Sequence, residues 1–372
     1  MAYPPRPDNN MNLKANMNRA ELHDRILGSL SLAGMGDALG APTEQWSIDE
    51  ILSFHGGLVA AFHTPTEDTF AGANKGLRGE VTDDASQMYY LARALVAAGG
   101  SLDQPAWLAC LLAWVDTSPK ATFMGPSTAA IVKAIKEGSD LSLVGVIGQS
   151  RRKMTTVGTT NGAAMRVAPA GLVHPGQIEA ACQQAFVTCL PSHDTDVAIS
   201  AACSVAAATS VALLTDSIDE VISAAVHGGH LGEQLGRQHA RSVAGPKYLG
   251  RLRLALSIAA EASSDMDFMT RIEEVVGNSV LAAESVPAAL AVVAYAKGDP
   301  LRTIAIASSM GNDTDSIATM AGGIVGALVG NVRLPIDLLR EFRAANARDF
   351  DLDAIAGGLC DIAWRRLQQA PR

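Results

Sequence analysis

The stretch 311–330, GNDTDSIATMAGGIVGALVG, joins an acidic segment to a long apolar helix. Asp313, Asp315 and the hydroxyl of Ser316 lie at its start, and mostly small and aliphatic residues follow. Its later glycines are Gly322, Gly323, Gly326 and Gly330. Because glycine is a poor helix former, we expect these glycines to permit close packing against a neighbouring helix. The stretch therefore predicts a buried helix whose first turn carries oxygen ligands.

The composition of the whole chain favours the same architecture. Hydrophobic residues make up 48% of the 372 residues but aromatic residues only 5%, so the apolar mass is mostly Ala, Leu, Val and Ile. Alternation of apolar and polar residues, the mark of a strand, is rare. We predict an all-α fold, a compact multi-helix bundle around one apolar centre. The predicted helices cover 20–40, 84–98, 103–116, 126–137, 140–149, 176–190, 196–213, 216–227, 247–263, 268–278, 284–296, 300–309, 315–329, 335–345 and 353–369.

The predicted organisation is a flexible N-terminal tail, 1–18, followed by a single domain, 19–372. The tail is polar and rich in Pro and Asn, and no linker divides the rest of the chain. Two long polar loops are expected, at 62–81 and 227–247, and loops of this length are often functional. The second would carry three histidines, which we interpret as surface residues rather than a metal site: His227, His230 and His239.

Charge and cysteine usage exclude several classes of protein. The net charge of −9 and pI of about 5.4 argue against broad nucleic-acid binding. Five scattered cysteines without a CxxC pair indicate reduced thiols in a cytoplasmic protein. The Ala-rich run 198–214 is fronted by Asp194 and Asp196, so we expect a buried core helix and not a membrane span.

A second acidic group, Thr82-Asp83-Asp84, precedes the helical segment MYYLARALVAA. One such residue would suffice as an N-cap, so either capping or a bound cation explains the group. If it converges with Asp313 and Asp315, four carboxylates would repel one another and raise their pKa values unless cations balance them. Oxygen donors favour Mg²⁺ or Mn²⁺, and four carboxylates balance two divalent ions.

Two further acidic features bear on this choice. Asp37 lies among small apolar residues at the end of a helix, where a buried carboxylate needs partners or a cation. The segment SHDTDVAISAA, with Asp194 and Asp196, repeats the Asp-Thr-Asp pattern of 313–315. The preference for Asp and Thr at helix N-termini is the simpler explanation of that repeat.

Four motifs in this order resemble the ADP-ribosylglycohydrolases, the family of the dinitrogenase-reductase-activating glycohydrolase and the ADP-ribosyl-acceptor hydrolases. They are GDALGAPTE (36–44), VTDDASQM (81–88), NGAAMRVAPAGL (161–172) and GNDTDSIATMAGGIVGALVG (311–330). The resemblance spans about residues 20–335. It implies an all-α orthogonal bundle of the ADP-ribosylglycohydrolase type, with a cleft that holds a dinuclear Mg²⁺ or Mn²⁺ centre.

The resemblance also implies roles for individual residues. The expected metal ligands are Thr82, Asp83, Asp84, Asp313, Asp315 and Ser316, the last standing where most members carry Thr. The expected catalytic residues are Glu44 and Asp313. The expected substrate-binding residues are Ser127, Asn161, Gly162, Met165, Arg166 and His193.

The implied reaction is hydrolysis of an N- or O-glycosidic bond of ribose, most readily the removal of ADP-ribose from a modified protein or small acceptor. An N-ribosidase acting on a nucleoside or another small riboside is an alternative. A third interpretation is a protein of another class, either a non-catalytic protein that binds metal or ADP-ribose or a crystallin-like structural protein. The sequence makes no prediction of the oligomeric state.

Overall fold

A computed structural model describes residues 13–14, 17–150 and 152–369. These residues contain seventeen α-helices and no β-strand, only three isolated β-bridges. The first nine helices are α1 Arg19–Gly40, α2 Ile48–His55, α3 Phe70–Ala73, α4 Asp83–Ala97, α5 Gln104–Thr117, α6 Pro126–Lys136, α7 Ala168–Leu172, α8 Ile178–Cys189 and α9 Asp196–Ala212. The others are α10 Ile218–His239, α11 Tyr248–Glu261, α12 Asp265–Arg271, α13 Ala282–Ala296, α14 Pro300–Ser308, α15 Thr314–Val329, α16 Ile336–Asn346 and α17 Leu352–Gln369. The all-α prediction is confirmed.

Helices α1 and α15 form an antiparallel pair in near-backbone contact. A Cβ atom on Gly326 would lie 2.1 Å from the carbonyl oxygen of Gly28, and one on Gly322 would lie 2.5 Å from that of Leu32. At the other end, a Cβ on Gly40 would lie 2.6 Å from the Cα of Asp315. The predicted role of Gly322 and Gly326 in close helix packing is confirmed, because only glycine leaves room for the partner backbone.

The predicted loop 227–247 is wrong over its first half, because α10 continues to His239. Its glycines pack against α9: a Cβ on Gly228 would lie 2.4 Å from the Cβ of Ala207, and one on Gly232 would lie 2.7 Å from the carbonyl oxygen of Ile199. The three histidines, His227, His230 and His239, therefore belong to a helix. Glycine in this segment serves helix contact and does not break the helix.

Two other sequence predictions are corrected. The helix predicted at 140–149 is only a 3₁₀ turn, Leu141–Leu143, because Gly145 and Gly148 follow with φ of 82° and 57°, values that a right-handed helix excludes. The predicted loop 62–81 contains the short helix α3.

Most of the hydrophobic core is one continuous cluster of buried side chains that runs from Met17 to Ala363, and Ala41, Ala71 and Phe123 form a small second cluster. Residues 1–12 and 15–16 of the predicted tail lie outside the described residues, but its end is attached to the rest. Lys14 donates its backbone N–H to the carbonyl of Leu214 (2.7 Å), and its ammonium pairs with Glu21 and Asp216. In the described part of the chain, no helix combines the length and apolar character needed to cross a membrane.

The α1–α15 contact predicts the effect of adding one methyl group. Gly326→Ala should lower the free energy of unfolding by about 1–3 kcal/mol, because the new Cβ has no space beside Gly28. Gly357→Ala is the matched control, since that glycine lies within α17 with open space around it and should gain about 0.5–1 kcal/mol. Urea unfolding followed by circular dichroism measures both. Equal effects of the two substitutions would contradict the proposed tight contact.

Candidate active site

Asp37, near the end of α1, holds the start of α4. Its carboxylate accepts hydrogen bonds from the backbone N–H of Thr82 (3.0 Å) and Ala85 (2.9 Å) and from the Thr82 hydroxyl (2.8 Å). These bonds satisfy N–H groups that a helix leaves free in its first turn. Thr82 is the N-cap residue, and its hydroxyl accepts the N–H of Asp84 (3.4 Å). Asp37 and Thr82 together thus perform the capping that is one explanation of the Thr82-Asp83-Asp84 group, and neither Asp83 nor Asp84 is needed as the N-cap.

The start of α15 shows the same separation of roles. Asp313 occupies the N-cap position, but its side chain caps no backbone N–H group of the helix. Its carboxylate instead accepts a short hydrogen bond from the side-chain amide of Asn161. Asn312, the residue before it, has a φ of 58°. Its backbone forms hydrogen bonds with the backbone of Gln45 and Trp46, a few residues after the end of α1. This pairing brings the Glu44 segment against the acidic end of α15.

The two acidic groups converge in the interior. Asp83, Asp84, Asp313 and Asp315 retain only 3–7% exposure. Burial raises the pKa of each of the four carboxyls, and the charge of Asp315 raises the pKa values of the other three further. Asp83 and Asp84 lie on α4 and the other two at the start of α15, more than two hundred residues later in the chain. The close packing of α1 on α15 brings these charges together.

Two more carboxyls share the cluster. Burial, then the charges of Asp315, Asp313 and Asp83, raise the pKa of Glu44 to about 10. Burial and the charge of Asp315 raise the pKa of Asp37 to about 7. Each of these six acidic groups makes ionisation of the others less favourable, so a bound cation would stabilise the cluster.

The repeated Asp-Thr-Asp segment provides an internal comparison. Asp194 forms ion pairs with Lys153 (3.2 Å) and Arg241 (3.0 Å), and Asp196 pairs with Lys247 (2.9 Å). The pKa of Asp194 is accordingly lowered, mainly by its hydrogen bond to Arg241 against the effect of burial. Protein cations thus neutralise the two aspartates of the 194–196 segment, whereas the carboxyls of Asp313 and Asp315 have raised pKa values.

The donor set fits a hard divalent cation. Oδ1 of Asp84 is buried without a hydrogen-bond partner, an unusual state for a carboxylate oxygen. The hydroxyls of Thr82 and Ser316, both nearly buried, add neutral oxygens beside the carboxylates. Across the described residues, however, no three Asp, Glu, His or Cys side chains are positioned to hold one ion as they stand. A dinuclear centre and an open cleft above it therefore stay predictions.

All six residues predicted to bind substrate are buried. Asn161 bonds to Asp313 and to the hydroxyl of Ser285 (2.8 Å). Gly162 lies against the His193 ring, where an added Cβ would be 3.0 Å from the ring atoms. Met165 is buried with 6% exposure, and Ser127 keeps 8%.

Arg166 and His193 have no exposed surface at all. The direct substrate contact that the resemblance implies for both residues stays a prediction. Arg166 donates to the side chains of Gln87 and Ser192 and to the backbone carbonyl of Thr188. His193 contacts the hydroxyls of Ser192 and Thr160.

Gln87 is a site residue that the sequence analysis missed. Its side-chain amide donates to Oδ2 of Asp83 (3.0 Å) from one helical turn further along α4. The i, i+4 spacing within VTDDASQM is the signal that could have identified it, because residues four apart share one face of a helix.

Comparison with known proteins identifies the family of the chain. A family model described as ADP-ribosylglycohydrolase matches residues 18–369, nearly the whole chain. The chain belongs to the ADP-ribosylglycohydrolase family. The match extends beyond the four motifs to the C-terminal helices α16 and α17.

Individual members of the family show different degrees of similarity. The uncharacterized protein YegU of Escherichia coli K12 is 30% identical over 341 residues, which cover 90% of this chain and 96% of YegU. The ADP-ribosylhydrolase ARH3 of Bos taurus is 32% identical over 191 residues, 47% of this chain and 51% of ARH3. A solved structure, an ADP-ribosylglycohydrolase-related protein complex, superposes with a TM-score of 0.60 at 20% identity, covering 92% of this chain and 99% of that one. The last comparison shows the shared fold.

The raised pKa values predict how stability depends on pH when no cation is bound. Folded Glu44 keeps its proton up to a pH of about 10, whereas the unfolded chain releases it near pH 4.3. Over that range the folded state binds the extra proton, so rising pH costs the protein stability at this residue. Glu44→Gln removes the cost, and its melting temperature should gain on the unaltered protein steadily from pH 5.5 to pH 8.5. Thermal unfolding of chelator-treated samples measures the difference, and a gap that shrinks with pH would contradict the assignment.

Proposed function

We propose that the protein is a metal-dependent hydrolase of a ribosyl glycosidic bond, and that it removes ADP-ribose from a modified protein or small acceptor in the cytoplasm. The proposal rests above all on the convergence of Asp83 and Asp84 with Asp313 and Asp315 in a buried cluster that raises their pKa values. We propose further that residues 19–372 act as one domain.

Two divalent cations, Mg²⁺ or Mn²⁺, would be held by the oxygen donors of this cluster: Thr82, Asp83, Asp84, Asp313, Asp315 and Ser316. When bound, such ions orient the vicinal hydroxyls of a ribose and lower the pKa of a water molecule. The unpartnered oxygen of Asp84 and the mutual repulsion of the carboxylates support this assignment.

The protein's own groups serve the reaction in other ways. Positive charge develops on the sugar ring as its glycosidic bond breaks, and the surrounding carboxylates favour that charge. Glu44 lies at the edge of the cluster, half-buried, and we assign it together with Asp313 as the group that accepts a proton from the attacking water. Bound cations would lower the raised pKa values of both carboxyls and leave them ionised for this role. Asn161 keeps the Asp313 carboxylate in place by its short hydrogen bond.

Substrate binding is assigned to the rim of the same cluster. The assigned residues are Ser127, Asn161, Gly162 and Met165. Asn161 bonds to Asp313, and Ser127 keeps 8% exposure. ADP-ribose is the preferred ligand because a relative named as an ADP-ribosylhydrolase, bovine ARH3, matches about half of the chain. The net charge of −9 disfavours nucleic acid as a further substrate.

Removing one carboxylate charge tests the metal-dependent mechanism. Asp315→Asn should lower Mn²⁺ affinity and the rate of ADP-ribose release together, each by more than about 100-fold, since altering even a residue that only supports a ligand costs 10- to 100-fold. Isothermal titration with Mn²⁺ and chromatographic detection of released ADP-ribose measure the two effects.

Asp196→Asn is the matched control, because Asp196 occupies the equivalent position in an Asp-Thr-Asp segment, where Lys247 neutralises it. It should retain both properties. Full activity of Asp315→Asn, or activity of the unaltered protein in excess chelator, would refute the mechanism. A substrate panel decides the bond cleaved: release of ribose from nucleosides alone would establish an N-ribosidase, and Mn²⁺ and ADP-ribose binding without turnover would establish a binding protein.

A further inference from the structure

Arg166 is a fully buried cation in the wall behind the acidic cluster. Its guanidinium stacks on the Trp107 ring at 4.7 Å from the ring centroid, and both side chains are at most 1% exposed. Burying an arginine is costly unless its donors are used, because the charge loses its hydration. Two separate chains of hydrogen bonds leave its two terminal nitrogens, and each leads to a residue of the proposed active site.

The first chain ends on a proposed metal ligand. Nη1 of Arg166 donates to Oε1 of Gln87 (2.8 Å), and Nε2 of Gln87 donates to Oδ2 of Asp83 (3.0 Å). Because arginine has only donors, the oxygen of the Gln87 amide must face it and the NH₂ group must face Asp83. Arg166 thus fixes the amide orientation in which Gln87 holds Oδ2 of Asp83.

The second chain ends at the rim. Nη2 of Arg166 donates to Ser192 Oγ (3.3 Å), which lies 2.8 Å from Nδ1 of His193. Nε2 of His193 lies 2.9 Å from Thr160 Oγ1, and Thr160 donates its hydroxyl hydrogen to Ser127 Oγ (3.0 Å). Since Thr160 uses its hydrogen on Ser127, His193 must donate from Nε2 and accept from Ser192 at Nδ1.

Every hydrogen in the second chain therefore points away from Arg166. A protonated imidazole would break the chain, since both ring nitrogens would then be donors. Burial and the nearby charge of Arg166 lower the pKa of His193 well below its ordinary range, which keeps the ring neutral. At the end of the chain, Ser127 accepts from Thr160 and its own hydroxyl hydrogen is left to donate to a ligand.

We propose that Arg166 is a positioning residue that orients the metal ligand Asp83 through Gln87 and the donor hydroxyl of Ser127 through Ser192, His193 and Thr160. This inference rests on the proposed function for its choice of ligands. It replaces direct substrate binding by Arg166 and His193 with an action through other side chains. It also separates two effects that direct binding would combine, one on cation affinity and one on ADP-ribose affinity.

Gln87→Met tests the first chain. The substitution keeps the length of the side chain and removes the bond to Asp83, so Mn²⁺ affinity without substrate should fall about 10- to 100-fold. Gln184→Met is the matched control: Gln184 is another buried glutamine, but its amide bonds to the backbone of Leu102. Its Mn²⁺ affinity should equal that of the unaltered protein. Calorimetric titration with MnCl₂ gives the affinities, and circular dichroism confirms that each variant is folded.

Ser192→Ala tests the second chain. Mn²⁺ affinity should stay unchanged, while ADP-ribose affinity in saturating Mn²⁺ should fall about fivefold, the loss of one oriented hydrogen bond. Arg166→Lys should lower both affinities, because a single ammonium cannot take the fork geometry that serves both chains. The opposite responses of Gln87→Met and Ser192→Ala are a readout that general destabilisation would not produce.

The proposal is overturned if folded Gln87→Met binds Mn²⁺ as tightly as Gln184→Met, or if Ser192→Ala weakens Mn²⁺ binding as much as Gln87→Met does. It is equally overturned if Arg166→Lys, folded, keeps both affinities. Failure of the proposed function has a different signature. If the unaltered protein binds Mn²⁺ but neither binds nor releases ADP-ribose, the assigned substrate is wrong, and the Mn²⁺ comparison still decides the role of Gln87.

Discussion

The near-backbone contact between α1 and α15 is the constraint on which the site depends. Gly28, Gly322 and Gly326 let the two helices approach until carbonyl oxygens fill the space that side chains would take. Gly40 and Asp315 meet at the end of this contact, where the Thr314 hydroxyl also donates to the Gly40 carbonyl (2.9 Å). Larger residues would separate the helices and remove Asp315 from the other acids, so the fold and the electrostatics have one cause.

The site can hold several negative charges together because other residues form the hydrogen bonds that fix the starts of α4 and α15. Asp37 caps α4, and backbone pairing of the 43–46 and 309–314 turns fixes the start of α15. The carboxylates of Asp83, Asp84 and Asp313 are thereby released from capping and left to repel one another. A cluster of this kind lowers the stability of the cation-free protein, the cost that functional sites commonly impose on a fold. In the 194–196 segment the same residue types are neutralised by protein cations, and there they serve only to stabilise the fold.

Several features follow from local sequence and could be predicted from it. The all-α class follows from composition and periodicity, and the motifs around Asp83 and Asp313 identify the family to which the chain belongs. The glycines of 322–326 were correctly assigned to helix packing. The sequence predicts a loop at the glycines of α10, because a Gly-Gly pair is locally typical of a helix break. Only the neighbouring helix shows that these glycines form a contact surface.

What the sequence by itself determined is therefore the helical class, the family and the oxygen-rich starts of α4 and α15, since these depend on residues near one another in the chain. Only the tertiary structure decided that the two starts meet, that Asp37 caps α4, and that Arg166 and His193 face the interior. Those outcomes depend on how closely two helices pack in space when hundreds of residues separate them in the chain. They also depend on which acceptor each buried hydrogen-bond donor can reach. Such properties belong to packing, and no local pattern of residues encodes them.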